Sequence, residues 1–285
     1  MKVAIQGYTG SFHEIAAREY FGGVLEALPC ATFRDVARKV ECCEANYGIM
    51  AIENSIAGSI ISNYSILQNH NLQVDGEVYL HIRQHLMALQ GTRLEDIHEV
   101  RSHPIALLQC VDFLDEHLGW RLVESEDTAG SAKEVAEQKL KGVAAIAGSL
   151  AAELHGLEIV VPDIHTIKQN ATRFLVLKRA DNIWRPGANK ASLYFKIDHE
   201  KGSLLRVLQQ TADGGINLSK LQSYPIPSDP WNYLFHVDME FDHYDDCVLT
   251  LNRMRRVASE VYVYGIYPRG NRAMESANKH QSNDK

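Results

Sequence analysis

The residues that could carry chemistry in this chain are short hydroxyls and amides set where apolar runs begin or end. In QNATRFLVL, residues 169–177, Asn170, Thr172 and Arg173 stand at the mouth of the run Phe174–Leu177. The same grammar recurs: Val3–Gln6 leads through a two-glycine turn to Ser11, and Tyr47–Ile52 ends in Glu53-Asn54-Ser55. Glu99–Ser102 ends in His103-Pro104, Arg121–Glu124 leads to Asp127-Thr128, and Val143–Ala147 leads to Gly148-Ser149. Each run ends near a helix start, where free backbone N–H groups favour an anion. Hydroxyls, amides and helix N-termini with few full charges suit a small carboxylate-bearing ligand. These positions hold no nucleophile–base pair, metal cluster or phosphate loop, and the first turn is G-x-x-G, not the dinucleotide fingerprint.

Asn170-Ala171-Thr172 also fits the N-glycosylation pattern. The cysteines weigh against that reading. Cys30, Cys42, Cys43, Cys110 and Cys247 are odd in number, two are adjacent, and they form no CxxC pair and no metal-ligand spacing with histidine. A reduced, cytoplasmic chain is expected, which makes the sequon a chance match. MKVAIQG carries no long apolar stretch and no run approaches membrane-spanning length, so neither export nor a membrane partner is expected. A net charge of −7 with scattered Lys and Arg, apart from Arg253, Arg255 and Arg256, leaves no footprint for nucleic acid. No metal or other cofactor is expected.

At 285 residues there is room for two domains. Up to residue 180, short apolar runs alternate with helical patterns, as βαβ units do. Further strands are expected at Ala27–Phe33, Gln73–Leu80, Gln84–Leu89, Leu157–Val161 and Arg173–Lys178. Ile105, Leu108, Val111, Leu114 and Leu118 recur every three to four positions and give one apolar face. Ser11 followed by Glu14 predicts a capping box. Residues 181–190, with Pro-Gly, read as a linker. Residues 191–270 then read strand (Ser192–Ile197), helix (Gly202–Ala212), strand (Ile216–Tyr224), strand (Asn232–Phe241), helix (Asp245–Ser259), strand (Val261–Tyr267). That is the ferredoxin-like βαββαβ order. A polar tail, 271–285, closes the chain.

Taken in order, GYTGSFHEIAA, YGIMAIENSIAGSI, HPIALLQCVDFL, DTAGSAKEVAE, AAIAGSLAAELHGL and NATRFLVL resemble the motifs of prephenate dehydratase. KGSLLRVLQQTADGGINLSKLQSYP and NYLFHVDMEF resemble that family's regulatory ACT domain. The resemblance implies an α/β fold with a two-lobed catalytic domain similar to type II periplasmic-binding-protein lobes, followed by the ACT domain. Lobe one is expected over 1–75 and 165–180, lobe two over 76–164, with the site in the cleft. The implied reaction converts prephenate to phenylpyruvate in phenylalanine biosynthesis, with loss of water and carbon dioxide. Aromatisation drives it, so binding, hydroxyl departure and desolvation of the carboxylate are what the protein must supply.

Carried over from the family, Thr172 assists departure of the hydroxyl, and Asn54 and Gln109 match positions tied to catalysis or substrate orientation. Ser11, Ser55 and Thr128 are implied carboxylate contacts. Glu53 reads as a cleft acid or as a capping or ion-pairing residue, and His103 as an orienting or supporting group. If Thr172 faces the cleft, strand alternation puts Phe174 there too and turns Arg173 away. Arg173 then braces the fold, or reaches a carboxylate if the strand starts late. In the ACT domain, Gly202, Ser203, Leu204, Asn217 and Leu218 are the implied contacts for an L-phenylalanine effector, within a homodimer or homotetramer. The family's Gly-Ala-Leu-Val element is Gly202-Ser203-Leu204-Leu205 here and its Glu-Ser-Arg-Pro element is Gln222-Ser223-Tyr224-Pro225, while Tyr8 stands where proline is usual. The alternative is a non-catalytic two-lobed carboxylate-binding protein fused to an amino-acid sensor.

Overall fold

The computed structural model describes residues 1–22, 24–181, 183–226 and 233–271. The chain begins β1 (Lys2–Gln6), α1 (Phe12–Phe21), β2 (Glu26–Cys30), α2 (Phe33–Glu41), β3 (Tyr47–Asn54), β4 (Gly58–Ser59), α3 (Ile61–Asn69), β5 (Leu72–His81). It continues β6 (His85–Ala88), β7 (Glu99–Ser102), α4 (Pro104–Gln109), α5 (Val111–Asp115), β8 (Arg121–Glu124), α6 (Thr128–Glu137). Then come β9 (Val143–Ala147), α7 (Ser149–His155), β10 (Glu158–Val161) and β11 (Ala171–Arg179). The last third is β12 (Lys190–Lys196), α8 (Ser203–Asp213), β13 (Asn217–Pro225), β14 (Tyr233–Glu240), α9 (Tyr244–Met254) and β15 (Glu260–Tyr267).

One sheet has the order β2-β1-β3-β11-β5, with β4 on β3. Its parallel centre explains the unbroken apolar spelling of β1 and β3, since such strands are buried on both faces. The second sheet is β10-β6-β9-β7-β8. One of its faces packs Leu107, Cys110 and Leu114 against Leu86, Val100 and Ile146. The other packs Ala129, Ala132 and Ala151 against Met87, Ala145 and Ala147. Two α/β lobes result, as the family resemblance implies.

The apolar stripe expected from Ile105 to Leu118 is not a buried face. Ile105 is 52%, Leu108 73% and Leu118 87% exposed, and only Leu114 of the set is buried. The helix breaks at Cys110 into two short pieces, so a spacing counted across the break does not lie on one face. Ala106, Leu107 and Cys110 do the packing instead.

The chain divides into two units, residues 1–66 with 78–174 and residues 67–77 with 175–285. In the second, an antiparallel sheet of order β13-β14-β12-β15 carries α8 and α9 on one face. Val207, Cys247, Leu251 and Met254 pack there on Leu193, Phe195, Val237 and Met239. This is the expected βαββαβ arrangement. The other face is polar and buried: Lys190 Nζ lies 3.0 Å from both carboxylate oxygens of Glu77 and 3.6 Å from Glu240. Glu77 belongs to this unit, and β12 begins at Lys190, inside the stretch expected to be linker, where Lys190 pairs with Glu240 and Tyr267. The tail from 272 onward and Asn232, expected to open a strand, lie outside the described residues. Among the described residues no helix is long and apolar enough to cross a membrane.

Candidate active site

In the first unit a cavity of about 310 Å³ opens at the carboxyl ends of β1 and β3, the first residues of β11, and the N-termini of α1, α4 and α6. Its polar centre is built where β3 meets β11. The Ser55 N–H donates to the Ala171 carbonyl at 2.8 Å, and the Ala171 N–H donates to Ser55 Oγ at 3.0 Å. This staple sets Asn54 beside Thr172.

The Asn54 amide is oriented without ambiguity. Its Oδ1 accepts from the backbone N–H of Ile56 (3.0 Å) and Ala57 (2.9 Å). The other end, Nδ2, therefore donates to Thr172 Oγ1 at 2.9 Å and to Asn170 Oδ1 at 2.8 Å. Thr172 receives a hydrogen bond from a group that can only donate, so its own proton is left for the cavity. A neutral hydroxyl polarised in this way is a donor aimed at bound substrate.

Around this pair the walls are mostly apolar, with Phe174, Phe12, Ile60 and Ile82 among the lining residues. Ser11 also lines the cavity, but not as a helix cap. Its Oγ makes no cap bond and is buried without a partner, while Glu14 reaches back to the Gly10 N–H at 2.8 Å. The expected capping box does not form, because Glu14 accepts from the Gly10 N–H and not from that of Ser11, and the serine hydroxyl remains for a ligand. Two glycines allow this turn to lie on α6 and α7. Gly7 (φ +91°) would place a Cβ 2.6 Å from Asp127 Oδ2, and Gly10 (φ +89°) one 2.9 Å from the Ala151 Cα.

Asp127 caps α6, its Oδ1 accepting from the Gly130 N–H at 2.8 Å. Burial raises its pKa, and hydrogen bonds from the backbone N–H groups of Gly130, Ala129 and Tyr8 oppose that rise. His103 caps α4 through Nδ1, which accepts from the Ile105 N–H, so its neutral ring carries the proton on Nε2. His13 meets Phe174 edge-on at 5.1 Å, and burial pulls its pKa down to about 4, which keeps the ring neutral at pH 7. Among the described residues, no lysine or arginine lines the cavity, whereas Glu126 and Asp127 do.

Thr172, Asn54, Gln109, Ser11, Thr128 and Phe174 are therefore brought to one cavity. Glu53, Ser55 and Arg173 are not among its lining residues. Ser55 serves as the staple, and its Oγ also donates to the Gln169 carbonyl. Arg173 is 4% exposed, 3.9 Å from Glu53 and 5.9 Å from the Tyr79 ring centre, placed to brace the sheet. His13 and Gln84 line the cavity without having been singled out from the sequence. His13 sits inside a quoted motif, but Gln84 was hidden in what read as the start of a strand. In the second unit Gly202, Ser203 and Leu204 line a separate cavity of about 180 Å³ with Tyr233 and Phe235; Asn217 and Leu218 do not.

Fold and site define a two-lobed α/β protein with a donor-lined cavity and a ferredoxin-like second unit. The family model for prephenate dehydratase matches residues 3–182. The chain belongs to the prephenate dehydratase family. Arogenate dehydratase/prephenate dehydratase 2, chloroplastic, of Arabidopsis thaliana is 38% identical, the match covering 94% of this chain and 73% of the relative. A solved prephenate dehydratase from Arthrobacter aurescens, in complex with L-Phe, is 26% identical with a TM-score of 0.83, covering 99% of both chains. A structure described as GqqA, a novel type of quorum quenching acylase, is 30% identical with a TM-score of 0.86, covering 94% of this chain and 98% of its own.

Proposed function

We propose that the cavity converts prephenate to phenylpyruvate, with Thr172 as the donor to the departing ring hydroxyl. The observation that carries this is the one-way hydrogen bond from Asn54 to Thr172 Oγ1. As the ring C–O bond breaks, the oxygen gathers negative charge and the Thr172 proton strengthens its bond to it. The electrons of the ring–carboxylate bond flow into the ring, carbon dioxide leaves, and the oxygen departs as water after taking up one proton overall. Threonine is a weak acid, so partial donation in the transition state is the role that its chemistry allows. The apolar wall around Phe174 holds the ring and strips water from the carboxylate that is lost.

A nucleophilic role for Thr172, as an acylase would require, is not favoured. Its hydrogen-bond partner is an amide NH₂, which cannot take the hydroxyl proton. Purified protein incubated with prephenate should form phenylpyruvate. Absence of product from folded protein would leave the carboxylate-binding reading in its place.

The second unit is proposed to be the ACT domain, with the cavity at Gly202, Ser203 and Leu204 taking an L-phenylalanine effector in a homodimer or homotetramer. Support comes from Gly202, whose left-handed backbone (φ +82°) opens α8 at the cavity wall, and from the relative solved with L-Phe. Titration calorimetry with phenylalanine, read beside turnover, tests it: no heat and no change in rate would leave only a scaffold role.

A further inference from the structure

Two polar atoms at the start of α1, Ser11 Oγ and His13 Nε2, are buried without a hydrogen-bond partner among the described residues. Both side chains belong to the cavity wall. The His13 ring packs with its centre 5.4 Å from that of Phe33 and 5.1 Å from that of Phe174. A buried polar atom left bare is unfavourable unless a ligand meets it. The backbone N–H groups of a helix start favour an anion at the same place.

Charge decides what such an anion meets. Among the described residues no lysine or arginine lines the cavity, and Glu126 and Asp127 add negative charge to its wall. A substrate with two carboxylates needs a cation that these residues do not supply. Two lining histidines could become one, His13 and His103. His103 is committed, because its Nδ1 accepts from the Ile105 N–H and a proton added there would break the cap of α4. His13 Nε2 has no such bond to lose. Burial alone pulls the His13 pKa down to about 4, with no charged neighbour adding to the shift. Glu14, on the same helix, is taken up by Arg18 and the Gly10 N–H, while α2 and β11 face the ring with Phe33 and Phe174. Its neutrality is thus a matter of desolvation, which an arriving carboxylate reverses.

We propose that His13 takes up a proton from solvent as the substrate binds and pairs, as imidazolium, with one of the substrate's carboxylates beside Ser11. This rests on the function proposed above and adds a binding residue to the same site. The proton joins the bare ring nitrogen, no bond of the substrate breaks, and the charge carried into the cavity falls from two negative units to one. The complex then holds the proton more tightly than the free protein does. Affinity therefore rises as pH falls through the range between the two.

The test is the KM of the full chain for prephenate between pH 8 and pH 6, with thermal unfolding checked at each pH. In the wild type KM should be about two- to tenfold lower at pH 6 than at pH 8. His13→Phe keeps an aromatic ring against Phe33 and Phe174, and His13→Gln keeps a polar group that does not titrate. Neither should show the fall. A flat KM in the wild type, or the same fall in the folded variants, would overturn the proposal. Absence of prephenate turnover by folded wild type would instead refute the proposed function. Calorimetry of prephenate binding at pH 6, in two buffers of different ionisation enthalpy, then reads the proton directly. Uptake that both variants abolish would support the role of His13, and binding without uptake, or no binding, would refute it.

Discussion

Replacing Thr172 with valine removes a hydroxyl and keeps the β-branched shape that suits a strand. In the structure that hydroxyl accepts one hydrogen bond, from Asn54 Nδ2 at 2.9 Å. Asn54 Nδ2 keeps its bond to Asn170 Oδ1 at 2.8 Å, and Asn54 Oδ1 keeps both backbone donors. The folded state should therefore lose about 1 kcal/mol at most. Catalysis should lose far more, because the removed proton meets charge that develops only in the transition state. One such donor is worth about 3–4 kcal/mol, or roughly 10²–10³-fold in kcat, with KM little changed. Thr172→Ser should recover most of the rate. Asn54→Asp isolates the polarity argument: the backbone contacts to Oδ1 can persist, but the other carboxylate oxygen would accept the Thr172 proton and turn it from the cavity. A rate loss comparable to that of valine is expected. Turnover and thermal unfolding of the three variants decide the matter. A valine variant within tenfold of wild type, or an aspartate variant with full activity, would refute the reasoning.

Other consequences reach beyond this pair. Gly10→Ala should destabilise the fold by about 1–2 kcal/mol from its positive φ alone, with more from the contact with Ala151, and should cut turnover by displacing Ser11; thermal unfolding and kinetics check both. His236 is 1% exposed, and burial first, then the charge of Lys220, lowers its pKa from 6.5 to about 4. The folded state then binds fewer protons than the unfolded chain between pH 6.5 and 4, so stability is full above that window and falls as pH drops through it. The contribution lost between pH 7 and 5 is about 2 kcal/mol, and urea unfolding of His236→Phe should show that much less pH dependence. Lys190→Met would take the buried cation away from Glu77 and Glu240, at a cost of about 3–5 kcal/mol by denaturant titration.

Much of this protein is legible before folding. Glu99–Ser102, Arg121–Glu124 and Val143–Ala147 are strands over the residues expected, because short apolar runs between turn residues have one favourable conformation. The ordered motifs place Asn54, Gln109 and Thr172, and the period of two along β11 puts Thr172 and Phe174 on the same wall. Spacing fails where the backbone departs from regularity. The Ile105–Leu118 stripe assumes one continuous helix, but the helix ends and restarts at Cys110 and only Leu114 of the five is buried. The Ser11–Glu14 pattern assumes a free helix start, yet Glu14 bonds the Gly10 N–H and the serine hydroxyl is left over the cavity.

The sequence by itself determined most of the strands, the βαββαβ order of the second unit, and which hydroxyls and amides stand at the ends of strands, while the two lobes were implied by the family resemblance. The strands and their order follow from local propensity and from residues near one another in the chain. Only the tertiary structure decided the direction of the Asn54–Thr172 hydrogen bond, because it depends on two backbone donors that fill Asn54 Oδ1. The same is true of Gln84. It stands 25 positions from Gln109, and nothing in its neighbours marks it. Hydrogen-bond polarity and unpaired buried atoms are properties of three-dimensional neighbourhoods, and here they set what the cavity can donate.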